Sequence, residues 1–162
     1  MKKVVPFIIF ILLFALLVTG FMFRDSFNAH IGKLMQHQNG ENINTSLVEQ
    51  VDALYNYELN NETYQVTFIE FGAKCPACIR MESVMKEIIT DYPGKVNVVF
   101  YDIMKAENQS VMKFYGIASI PAQVLLGRSG SEFFRHNGYI SASDLSVEIN
   151  KQIINKINSR NS

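Results

Sequence analysis

Cysteine is scarce in this chain: there are two in 162 residues, Cys75 and Cys78. Two cysteines cannot build a disulfide scaffold. Nor can they close a four-ligand zinc site alone, and the three histidines (His30, His37 and His136) lie far from them in sequence. Net charge is also missing. Fifteen Lys and Arg balance fifteen Asp and Glu, which leaves no electrostatic case for nucleic acid or an acidic polymer. The sequence carries no internal repeat and no low-complexity block, and its length suits one domain of about 100–200 residues.

Apolar sequence is plentiful at the N-terminus. Behind Met1-Lys2-Lys3, residues 4–23 run without a charge. At about 1.5 Å per residue, a helix of that length matches a hydrocarbon core of about 30 Å. Pro6 falls in the first turn, where its missing N–H costs little. The two lysines predict a cytoplasmic amino terminus and an exported remainder. The competing reading is a cleaved signal peptide, whose apolar region is about 7–15 residues and ends in a small-x-small site. Val18-Thr19-Gly20 is a poor site of that kind, so residues 1–23 read as an uncleaved signal-anchor. Residues 24–43 are mostly polar and read as a stalk reaching on the order of 25 Å. His30 and His37 within it read as solvated residues, not metal ligands.

The folded domain is expected over 44–158, with a polar tail at 159–162. Ser46-Leu47-Val48-Glu49 has the form of a capping box, and Leu47, Val48, Val51, Leu54 and Tyr55 predict one helical face. Residues 65–71 are rich in β-branched and aromatic types and predict a central strand. Met81, Val84, Met85, Ile88, Ile89 and Tyr92 recur at helical spacing and predict a helix stopped by Pro93-Gly94. Residues 96–101 predict a second strand, parallel to the first through a right-handed crossover. A short helix over 107–115 stops at Gly116. A strand over 122–126, a turn at Ser129-Gly130 and an edge strand over 132–136 follow. Gly138 breaks the edge strand, Ser141 to Asp144 cap a last helix, and Leu145, Ile149, Ile153 and Ile157 line it. That order predicts an α/β domain with a mixed four-stranded sheet flanked by helices.

The two cysteines stand three apart where the first strand turns into a helix. A thiolate, not a thiol, attacks a disulfide. At a helix start, free N–H groups and the helix dipole favour the thiolate of Cys75; Lys74 adds a cation, and Cys78 one turn on can donate a hydrogen bond to it. Cys78 would be the more buried. The pair therefore reads as a nucleophile (Cys75) and a resolving thiol (Cys78) that cycle through a mixed disulfide and end bonded to each other. Glu70 precedes the turn. If it points beneath the cysteines, burial raises its pKa and lets it accept the Cys78 proton; strand alternation also permits an outward-facing Glu70. Lys74 can equally be an ordinary solvated surface residue, and His136 on the edge strand reads as an exposed structural residue. Met81 and Met85 fit the core by periodicity.

Phe71-Gly72-Ala73-Lys74-Cys75-Pro76-Ala77-Cys78, Tyr115-Gly116-Ile117-Ala118-Ser119-Ile120-Pro121 and Gly138, in this order and spacing, resemble the thioredoxin family over residues 66–154. The resemblance implies a thioredoxin fold, Cys75 as nucleophile and Cys78 as resolving cysteine. It implies that Pro121 is a cis-proline facing the disulfide and that Ile120 offers backbone groups to an extended substrate. Lys74 and Gly138 join the substrate-binding side. Glu70 stands one residue closer to the cysteines than the family's buried acid. The chain also departs from cytosolic members, which carry a tryptophan before the first cysteine and Gly-Pro between the two; here Lys74 and Pro76-Ala77 take those places, and the chain has no tryptophan.

These readings converge on a membrane-tethered protein-disulfide reductase of a bacterial envelope, single-pass in the cytoplasmic membrane with its domain outside. The alternative location is the periplasm after signal cleavage. Expected partners are protein disulfide substrates and a membrane thiol electron donor; the protein is expected to be monomeric and to need no cofactor beyond its own Cys75–Cys78 disulfide, and no metal. The alternatives are a disulfide oxidase or isomerase, a Cu(I) metallochaperone using the same thiolates, and a binding module with vestigial chemistry.

Overall fold

A computed structural model of the chain describes residues 5–23, 30–31, 34 and 45–160. Lys2, Lys3, His37, most of the expected stalk and residues 161–162 lie outside them. Helix α1, Val5–Met22, forms within the charge-free run, and its side chains over 9–20 are exposed. No helix among the described residues is long and apolar enough to cross a membrane; the 18 residues of α1 rise about 27 Å against a hydrocarbon core of about 30 Å. The transmembrane helix expected from the sequence is therefore not shown.

The domain runs α2 (Thr45–Tyr55), β1 (Val66–Gly72), α3 (Pro76–Asp91), β2 (Val96–Asp102), a 3₁₀ turn (Ala106–Asn108), α4 (Gln109–Phe114), β3 (Ala122–Gly127), β4 (Glu132–Asn137) and α5 (Ala142–Arg160). The four strands lie in the order β2-β1-β3-β4. β1 pairs parallel with β2 and antiparallel with β3, and β3 pairs antiparallel with β4. The parallel pair is joined through α3, as the apolar periodicity of that helix requires. The hairpin turns at Gly130, whose φ of 78° suits a residue without a Cβ. α5 continues to Arg160, so the helix takes in residues read as tail.

β1 divides two apolar layers. Val66 and Phe68 pack with Met81, Val84 and Ile88 of α3 and with Leu145 and Ile149 of α5. Ile69 and Phe71 face the other way, toward Val51 and Tyr55 of α2 and toward Tyr57, Tyr115 and Ile117. Polar groups in this second layer form a chain: the Tyr57 hydroxyl lies 2.8 Å from the Thr67 hydroxyl and accepts from Asn97 Nδ2 at 2.8 Å. On β4 the buried Arg135 holds Glu132 through Nε at 3.0 Å and Nη2 at 2.7 Å, and donates through Nη1 to the Tyr115 carbonyl at 2.6 Å.

Two helical faces are narrower than the sequence predicts. On α2, Val51 and Tyr55 are buried while Val48 and Leu54 are 48% and 59% exposed. On α3, Ile89 is 54% exposed. A helix against one sheet face buries a stripe that recurs every three or four residues, and residues flanking that stripe stay in water. Phe68→Ala should therefore lower stability by ~3–5 kcal/mol, as for other buried aromatics. Leu54→Ala should change it by less than ~0.5 kcal/mol. Urea unfolding of both variants beside the parent checks this; equal losses would mean that the assigned faces are wrong.

Candidate active site

β1 ends at Gly72, and Ala73-Lys74 turn the chain so that Cys75 becomes the N-cap of α3, in extended backbone with φ −103° and ψ 153°. Pro76 fills the first helical turn, where its fixed φ suits a helix and no N–H is missed. Cys75 and Cys78 are disulfide-bonded, with Cα atoms 5.0 Å apart. The backbone N–H of Cys78 donates to Cys75 Sγ at 3.0 Å. The sulfur thus takes the place that a Ser or Asp oxygen fills in an ordinary cap. A hydrogen bond from the Cys78 thiol was expected; in the bonded state that sulfur has no hydrogen, and the backbone supplies the donor. Cys78 is 4% exposed, whereas Cys75 is half-buried and Lys74 exposed. An open cleft of about 510 Å³ reaches Cys75 and is lined by Ala73, Lys74, Asp102 and Met104.

Glu70 is fully buried. It has the same strand parity as Val66 and Phe68, so its side chain lies on the face covered by α3 and α5. Two residues on, on that same face, stands Gly72, where a Cβ would lie 3.6 Å from the Cys78 Cβ and 3.0 Å from a ring carbon of Phe100. The carboxyl thus sits beneath the helix that carries Cys78, the inward option of the two the sequence left open. It accepts from Gln123 Nε2 at 2.9 Å across the Glu70–Gln123 register pair. Burial pushes its pKa up from the ordinary carboxyl value of 4.5 to about 8, and the Gln123 hydrogen bond offsets part of that rise.

The Ile120–Pro121 peptide is cis. Continuing the β1–β3 register one step past Phe71–Ala122 sets Pro121 opposite Gly72, at the strand end that leads into the disulfide. Ile120 is half-buried. Gly138, with φ 98°, donates its N–H to the Pro121 carbonyl at 2.7 Å; it supports the proline loop from β4. Arg80, two residues after Cys78, stacks 3.7 Å over the Tyr139 ring and ties α3 to the same loop. His136 is half-buried on β4, and its Nε2 lies 3.3 Å from the Tyr139 carbonyl.

Four contributors went unread in the sequence: Gln123, Phe100, Asp102 and Met104. Gln123 carried a signal, being the one polar residue in Ala122-Gln123-Val124-Leu125-Leu126. Its partner depends on the β1–β3 register, which is a property of the sheet. Phe100 and Met104, 48% and 77% exposed, have no local signature at all.

A central parallel strand pair extended by an antiparallel hairpin, with a bonded Cys-x-x-Cys at a helix N-terminus and a cis-proline at the neighbouring strand, defines a thioredoxin-type protein. Residues 51–153 match the family model described as a thioredoxin-like domain, and the chain belongs to that family. It is similar to the solved structure of thioredoxin-2, described as "a component of malaria parasite protein secretion machinery", at 26% identity, covering 54% of this chain and 82% of that one with a TM-score of 0.50. It is also similar to a structure described as that of a malarial protein, at 25% identity, 54% and 97% coverage, and a TM-score of 0.50. None of the curated proteins compared with it matches. The fold and the cysteine pair support thiol-disulfide oxidoreductase chemistry.

The buried carboxyl makes stability depend on pH. With a folded pKa of about 8 against 4.5, the folded state binds more protons than the unfolded chain between those values. The stability held by neutral Glu70 is thus complete below about pH 4.5 and is lost as pH rises through about 8. Glu70→Gln should flatten this slope. It should be the more stable protein at pH 9 by a few kcal/mol, since a tenfold change in proton affinity is worth about 1.4 kcal/mol. Denaturant titrations of the oxidised proteins at pH 5, 7 and 9 measure it; parallel curves would place the titrating group elsewhere.

Proposed function

We propose that this protein is a membrane-tethered protein-disulfide reductase whose Cys75–Cys78 pair delivers two electrons to disulfides of extracytoplasmic proteins. One observation carries the reading: of two bonded cysteines at the start of α3, Cys75 opens on a cleft while Cys78 is buried, and a buried carboxyl, Glu70, stands on the sheet face that α3 covers. In the reduced protein, Cys75 thiolate attacks one sulfur of a substrate disulfide. A mixed disulfide forms, and the other substrate sulfur leaves as a thiolate that takes a proton from water. Cys78 passes its proton to Glu70 and attacks Cys75 Sγ. The mixed disulfide breaks, the second substrate sulfur leaves reduced, and Cys75–Cys78 is left oxidised. A membrane thiol donor then restores the dithiol. In this reading an extended substrate segment would lie along the Ile120–Pro121 loop, which the Gly138 N–H supports, with Lys74 lining the cleft beside Cys75.

Tethering rests on the charge-free run at 4–23, on Lys2 and Lys3 before it, and on the exposed apolar surface of α1, where Phe10, Leu12, Leu16 and Leu17 are each at least 64% exposed. Such a surface needs an apolar medium or partner. Removing residues 1–23 should move the protein from the membrane fraction to the soluble one. Recovery of the intact chain from the soluble fraction would remove the anchor from the reading.

Cys78→Ser should accumulate mixed disulfides through Cys75, recoverable from membranes and released by dithiothreitol, while Cys75→Ser should yield none. If no adduct forms, the two thiolates serve some other purpose, and tight Cu(I) binding by the reduced protein would then identify a metallochaperone. The direction of electron flow is read from the reduction potential. A reductase should lie well below the strongly oxidising end of the scale, about −120 mV, and a value near that end would make the protein an oxidase.

A further inference from the structure

Two buried oxygens on the face beneath α3, Glu70 Oε1 and Gln123 Oε1, have no hydrogen-bond partner among the described residues. They belong to two side chains already joined by the 2.9 Å bond from Gln123 Nε2 to Glu70 Oε2. Both orphans are acceptors, so neither can serve the other until one carries a hydrogen, and of the two groups only the carboxyl can gain one. An acceptor left alone in this setting costs about 1–3 kcal/mol, and here one proton can relieve two of them. We propose that Gln123 is the positioning residue of the proton-transfer step: it holds Glu70 edge to edge, amide against carboxyl, so that protonated Glu70 closes a second hydrogen bond from Oε1–H to Gln123 Oε1.

This inference rests on the reductase reading and adds to it a store for the proton. The oxidised protein holds the paired, neutral acid. When a donor thiolate attacks Cys75 Sγ, the Cys75–Cys78 bond breaks, and the electron pair of that bond leaves on Cys78 Sγ. Cys78 takes the proton of Glu70, which becomes a carboxylate held only by Gln123 Nε2. In the opposite half-cycle, Cys78–SH returns the proton before it resolves the mixed disulfide. The pKa of about 8 for Glu70 agrees with an acid that is neutral in the oxidised protein and ionises at small cost.

Other titratable groups face the pair. Cys78 lies above it on α3. Asp102 of β2 stands opposite Gly72 on the same sheet face, and His136 of β4 is the register partner of Gln123. α5 brings the apolar Leu145 and Ile149 to this face, with Asp144 and Glu148 lining the cleft that also holds His136 and Tyr139. As the register partner of Gln123, His136 is the control residue for the test.

The test is an NMR titration of the oxidised full-length protein in detergent, following the Glu70 carboxyl carbon and the Gln123 side-chain amide. In the unmodified protein both should move with one shared inflection near pH 8. His136→Gln should leave the inflection in place. The proposal is overturned if the Gln123 amide stays fixed while Glu70 titrates, or if His136→Gln abolishes the shared inflection. None of these readouts needs a substrate. Trapped adducts with a silent Gln123 would thus sink this inference alone, and a coupled Glu70–Gln123 titration without adducts would sink the reductase reading alone.

Discussion

β1 has a hydrogen-bonded neighbour on each edge and a helical layer on each face, and all seven of its residues are buried. A strand so enclosed cannot shift by one residue without exchanging its two faces. Val66 and Phe68 would then leave the α3–α5 layer, and Ile69 and Phe71 would enter it. This constraint fixes the strand's last residue, Gly72, and with it the turn that sets Cys75 at the head of α3. It also fixes which face carries Glu70. The cysteine pair and the buried carboxyl are therefore placed by one element, and their relative position inherits the rigidity of a strand buried along its whole length.

The polar groups of the two layers differ in how they are partnered. In the α2 layer Thr67, Tyr57 and Asn97 are joined to one another, and the buried Arg135 is paired with Glu132. The α3 layer holds a carboxyl with a single bond to Gln123. A leucine in place of Glu70 would avoid the desolvation cost, but it would strip the buried Gln123 amide of the acceptor of its 2.9 Å bond. Apolar packing alone gives no reason for the carboxyl.

Much of this was legible from residue order. The alternation of strand and helix, the two cysteines three apart, Pro93-Gly94 and the glycines at 116, 130 and 138 mark the elements, because each depends on local backbone preference or periodicity. The buried stripe of α2 was read too wide, since Val48 and Leu54 are apolar and yet face water; apolar identity alone cannot say where a sheet ends above a short helix. The cis state of the Ile120–Pro121 bond came from family resemblance, as sequence physics favours trans. The partnership of Glu70 with Gln123 could not be read, because residues 53 positions apart meet only through the β1–β3 register. The inward direction of Glu70 has the same origin.

Two opposing influences act on the electron affinity of the Cys75–Cys78 pair. The N-terminus of α3, with the Cys78 N–H already directed at Cys75 Sγ, favours a thiolate and hence the reduced form, which makes the pair more oxidising. Lys74 acts in the same sense but is exposed, where water and salt screen it. The buried carboxyl acts the other way. Once Glu70 has given up its proton, its negative charge opposes a thiolate above it in a medium of low dielectric, where like charges repel more strongly than in water. Each 1.4 kcal/mol of net preference moves a two-electron couple by about 30 mV. A buried charge controlled by one proton can therefore outweigh a solvent-screened lysine. The departures at Lys74 and Pro76-Ala77 sit at the surface of the site, while Glu70 lies beneath it, and in the proposed cycle the proton on Glu70 is the stronger lever on the direction of electron flow.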